Sequence, residues 1–87
     1  MGDIIEITGK AAVMTDEEGT VSGELDVTVD EQGRGLVRYR DTETWYHIGN
    51  LDGEPARTWT DVAELVSAID AGRGNRDAAG NTIPFEA

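Results

Sequence analysis

The residues best suited to chemistry in this chain are carboxylates set beside glycines: DEEGT at positions 16–20 and, fourteen residues on, DEQGR at 30–34. A calcium loop of the EF-hand kind needs ligands at its positions 1, 3 and 5, a glycine at 6 and a bidentate Glu at 12. Both segments put glycine at the fourth position, as Gly19 and Gly33, so the spacing fails. Asp26, Thr28 and Asp30 recur at offsets of two, but on an alternating run with glycine too late. The same spacing suits a tight turn, because glycine accepts a left-handed backbone without strain. Both acidic segments therefore read as two copies of one turn. No metal is expected.

Nucleophilic catalysis has little to draw on. His47 is the single histidine, Ser22 and Ser67 are the two serines, and there is no cysteine. A Ser-His-Asp triad would have to use them, and neither serine stands in a G-x-S-x-G elbow. A zinc site would need carboxylates gathered around one imidazole, an uncommon donor set. Gly72-Arg73-Gly74 follows a helical pattern rather than opening one, so it is not a phosphate-cradling loop. With 18 acids, paired carboxylates arise by chance and do not imply acid–base chemistry. The expectation is a protein that is not an enzyme and carries no cofactor.

Two groups of residues suit binding better. Arg38, Arg40, Trp45 and His47 should share the outward face of neighbouring strands, and Trp and Arg are enriched where interfaces hold most of their energy. Trp45 set against Arg40 would make a cation–π contact, which is also the structural alternative to a binding role for both. The second group is the acidic loop residues Asp16, Glu17, Glu18, Asp30 and Glu31.

Alternating segments must hold these residues in place. In Glu24–Val29 the odd positions are apolar and the even ones polar, the period of a strand. A three-residue loop Glu31-Gln32-Gly33 closed by Asp30 and Arg34 sets Leu25 against Tyr39, Val27 against Val37 and Val29 against Gly35. The other face then receives Asp30 with Arg34, Asp26 with Arg38 and Glu24 with Arg40. A slip of one residue would put arginines opposite Val27 and Leu25, so charge and pleat select one register. The same construction around Glu17-Glu18-Gly19, closed by Asp16 and Thr20, sets Val13 against Gly23 and Lys10 against Asp26. Downstream, Tyr39 pairs with Tyr46 and Val37 with Ile48, which sends Trp45 and His47 outward. Tyr39 and Tyr46 read as core, Met14 and Leu36 as scattered exposed residues.

The predicted fold is α+β: a four-stranded antiparallel β-meander with one amphipathic helix over about 59–71 on one face. Thr58 and Asp61 form its capping box, Val62, Leu65, Val66 and Ile69 its apolar stripe, and Gly72 its stop. Trp59 anchors the helix start. Residues 1–87 make one small domain, with 73–87 as a tail that either docks through Ile83 and Phe85 as a short edge strand or frays.

Charge narrows the partners. There are 18 acids against 7 bases, a formal −11, and residues 1–30 hold Lys10 as their one base. Direct binding to nucleic acid or an anionic membrane is disfavoured, since neither phosphate nor headgroup attracts such a surface. No apolar run is long enough to span a bilayer. The N-terminus has no secretory signal, and Glu6 breaks the myristoylation pattern after Gly2, so a cytoplasmic location is expected. The leading expectation is a small acidic protein-binding domain, such as a phage or mobile-element inhibitor seated on a basic nucleic-acid-handling surface. The alternative is a structural module that self-associates as a homo-oligomer or within a phage particle.

Overall fold

The structure is a computed structural model and describes residues 3–72 and 76–87. Gly2 and the start of the predicted tail, 73–75, lie outside the described residues. The strands are β1 (Ile5–Glu6), β2 (Ala11–Thr15), β3 (Gly19–Gly23), β4 (Leu25–Val29), β5 (Gly35–Tyr39) and β6 (Tyr46–His47). One helix, α1 (Val62–Ala71), follows. β1, β4, β5 and β6 form an antiparallel sheet in that order, with α1 packed against β4 and β1. The predicted α+β arrangement of a four-stranded antiparallel sheet under one helix is what the chain adopts.

The first hairpin departs from a straight ladder. β2 and β3 form a separate two-stranded sheet, because the long arms bend between β1 and β2 and between β3 and β4. Gly23, at φ 126, takes a backbone conformation that a side chain rarely tolerates, and it marks the bend in the second arm. The bend carries the hairpin's far end around to β6, where Thr15 bridges Ile48 and Gly49 N–H donates to the Met14 carbonyl at 3.1 Å.

Registers divide by how well a turn fixes them. Between β4 and β5 every predicted pair is present, from Leu25 with Tyr39 to Val29 with Gly35. Gly33 at φ 84 holds the left-handed position, and Asp30 Oδ1 accepts from the backbone N–H of both Gln32 and Arg34 at 2.9 Å. Between β2 and β3, Val13 faces Val21 rather than Gly23, a slip of two residues from the expected register. The turn is therefore Asp16-Glu17-Glu18 closed by Thr15 and Gly19, whose ends the Thr15 hydroxyl ties by accepting from Glu18 N–H and donating to Gly19 O. The two acidic turns are not copies of each other. Val37 likewise faces Tyr46 rather than Ile48, again a slip of two. A two-residue slip leaves every side chain on its own face, so apolar alternation does not distinguish the registers.

The slips, together with the bend between β1 and β2, change partners. Glu6, not Lys10, stands opposite Asp26. Tyr39 is exposed at 38% and Tyr46 half-buried, so Tyr39 is not a core residue. Met14 and Leu36, expected outside, are buried.

The core gathers Ile7, Val13, Val21, Leu25, Val27, Val37 and Ile48 from the strands with Leu65 and Ile69 from α1. Each such side chain contributes about 1.5–3 kcal/mol by leaving water. Helix α1 begins three residues later than the sequence suggests: Asp61 is itself the N-cap, accepting from Glu64 N–H at 2.8 Å. The N-cap is thus Asp61 on Glu64 N–H, and residues 58–60 precede the helix, with Thr58 bridging Arg34 and Trp59 N–H on the Gly33 carbonyl. The end of the tail docks. Phe85 lies parallel to β2, its N–H on the Ala12 carbonyl and its carbonyl on Met14 N–H.

Candidate interaction surface

The even-numbered residues of β4 and β5 make the outward face of the larger sheet. Asp26 sits there almost wholly buried, and two arginines converge on it: Arg38 Nε at 3.0 Å and Arg40 Nε at 3.5 Å. Arg40 also reaches the Ile7 carbonyl at 2.9 Å and lies 3.8 Å from Glu24. The Arg38 guanidinium meets this carboxylate through its Nε edge and lies over the Trp45 ring, 4.5 Å from its centroid. Trp45 was expected over Arg40; the two-residue slip of β6 moves it to Arg38. Packed this way, Arg38 and Arg40 close the outer face over Asp26.

The bend in the first hairpin brings its acidic tip onto the same side as β6. Glu17 Oε1 accepts from His47 N–H at 2.7 Å while Oε2 meets the ring Nδ1 at 2.6 Å. Burial pushes the Glu17 carboxyl up, but the ring and backbone hydrogen bonds from His47 and its charge outweigh it and hold the group below the usual carboxylate range. Beside it, Asp16 Oδ2 pairs with Arg34 Nη2 at 3.0 Å. Arg34 was expected to pair with Asp30 through its side chain. Asp30 is instead occupied by backbone N–H groups, and Arg34 turns toward Asp16 and the Ile48 carbonyl.

The eight candidate residues thus fall into three sets. Asp16, Glu17 and His47 join the hairpin tip to β6, and Arg38, Arg40 and Trp45 cover Asp26. Glu18 and Glu31 stay exposed at their turns. Glu31 lies at the rim of a concavity of about 450 Å³, shared with Asp3, Asp30 and Asp61 and with no base among its described lining residues. From the sequence Asp61 was read only as a helix-capping residue, and Asp3 was not proposed for binding. The Asp-x-x-Glu cap at 61–64 places Asp61 there, whereas nothing local signals Asp3.

Chemically, the Glu17–His47 pair resembles the base end of a hydrolytic relay. Yet Ser22 lies on β3 opposite Ala12 and Ser67 on the exposed side of α1, so neither belongs to the β6 surface. Among the described residues, no group of three or more His, Asp or Glu is placed to hold a metal ion, and no helix is long and apolar enough to cross a membrane. The chain matches no protein-family model, no curated protein and no solved structure.

Proposed function

We propose that this is a small acidic protein-binding domain, without chemistry of its own, that engages a basic surface of a protein partner. The observation that carries this reading is how the charges are used. Every described base is engaged within the molecule: Arg34 with Asp16, Arg38 and Arg40 with Asp26, Arg57 over the Trp59 ring, Arg76 on Gly80 and Thr82, and Lys10 in a contact of its own. Glu18 and Glu31 have no such engagement and stand outward. With a formal charge of −11 and these acids turned outward, the field presented to a partner is negative, and it strengthens encounter with a basic surface. The concavity bordered by Asp3, Asp30, Glu31 and Asp61 supports this reading, since its charged lining residues are all carboxylates among the described ones and would attract a protruding Lys or Arg.

Surfaces of that sign most often handle nucleic acid, which makes an inhibitor that occupies such a surface the reading we favour. Competition tests it. A partner captured on the immobilised protein should be released by duplex DNA or heparin added at low salt. A partner that stays bound while saturated with either polyanion binds elsewhere, and the reading fails.

A further inference from the structure

A second cleft, of about 620 Å³, opens on the other side of the molecule, between the β2–β3 sheet, the end of α1 and the returning tail. That volume lies within the range of small-molecule sites. Its apolar wall comes from Ile69, Ile83 and Phe85, and its charged lining residues are Lys10 and Arg76, with no carboxylate among the described ones. In a chain of net charge −11 this is an inversion of the prevailing sign.

Arg76 differs from the other described arginines. Arg34, Arg38 and Arg40 are neutralised by carboxylates and Arg57 lies over a ring, but Arg76 is held by neutral oxygens among the described residues. Its Nη1 donates to the Thr82 hydroxyl at 2.8 Å and the Gly80 carbonyl at 3.3 Å. Those bonds orient the guanidinium without cancelling its charge. The 76–82 hairpin that carries it is itself braced, since Asp77 accepts from the N–H groups of Ala79 and Asn81. A mounted cation at the rim of an apolar cleft is complementary to one ligand chemistry.

We propose that this cleft binds a small organic carboxylate with an apolar body, its acid group on Arg76 and its hydrocarbon against Ile69, Ile83 and Phe85. Planar guanidinium matches carboxylate through two parallel hydrogen bonds, and a charge-assisted pair beside an apolar wall excludes water from one side. The site is separate from the acidic surface, and neither reading depends on the other.

Sodium octanoate is the probe, with octylammonium chloride as the control of equal length and opposite charge. Backbone amide NMR shifts of the full chain should move saturably with octanoate at Ser22, Ile69, Thr82 and Phe85, and not with octylammonium. Arg76→Gln should weaken octanoate binding at least about tenfold. Ser22→Glu, on an exposed strand position of the cleft, keeps the 76–82 hairpin intact and should weaken it as much by adding a carboxylate. The proposal is overturned if octanoate gives no saturable shifts, shifts other amides, is matched by octylammonium, or binds Ser22→Glu as tightly as the wild type.

Discussion

Asp26 is the residue on which the outer face of the sheet depends. A carboxylate this deeply buried is tolerated because Arg38 and Arg40 meet it and Trp45 screens Arg38 from above. Asp26→Asn keeps the shape and removes the charge, leaving one neutral amide oxygen in place of the carboxylate that Arg38 and Arg40 share. The expected loss is about 2–3 kcal/mol, read as the midpoint of urea unfolding. The Asp26–Arg38 pair is legible in the sequence, since the glycine-pinned turn puts the two residues opposite each other. The Asp16–Arg34 pair is not, because it depends on a bend that brings distant turns together. Glu17 behaves differently. Its carboxyl is held below the ordinary value, so the stability it adds is present above about pH 4.3, the unfolded reference, and is lost as pH falls through the folded value. Unfolding between about pH 5 and pH 3 should therefore be steeper in pH for the wild type than for Glu17→Gln; equal slopes would mean the His47 contact adds nothing.

Turns, caps and registers belong to the scale of elements, and there glycine decides which inferences hold. Gly33 and Gly19 both sit at positive φ, but a Cβ at Gly33 would come within 3.1 Å of Thr58 Cβ, whereas one at Gly19 would meet nothing within 4 Å. Gly33→Ala is thus expected to cost more than the ~1–2 kcal/mol of left-handed strain that Gly19→Ala incurs, with thermal unfolding as the measurement. The β4–β5 register was readable because Gly33, Asp30 and the crossing charges all agreed. The neighbouring pairs slipped by two because alternation has a period of two, and Thr15, which closes the first turn through its hydroxyl, is a weaker sign than an Asp in that position. The helix start was misjudged for a related reason. Thr58-x-x-Asp61 and Asp61-x-x-Glu64 are both cap-like, and pairing of Thr58 with Arg34 keeps the former out of the helix. Asp61→Ala should lower stability by about 1 kcal/mol through loss of the bond to Glu64 N–H.

For the molecule as a whole, charge is what the fold distributes most unevenly. The bend that folds the first hairpin onto β6 consumes Asp16, Glu17, Arg34 and His47 in internal contacts. What is left outward is dominated by acids, Glu18 and Glu31 among them, while the charged lining of the cleft at Arg76 is positive among the described residues. Composition predicted the acidity but not this sorting, because pairing across bent strands is a property of the closed structure. Exposed charges act through a screened field, so their use in binding has a distinct signature. The most direct test is the affinity of a captured partner for the wild type and for Glu18→Gln/Glu31→Gln, measured between about 0.05 M and 0.3 M salt, where screening shortens from well over 10 Å to less than that. Acidic engagement predicts affinity that falls steeply with salt for the wild type and a shallower slope, with weaker binding at low salt, for the double variant. Affinity that is flat across that range and unchanged in the variant would contradict it.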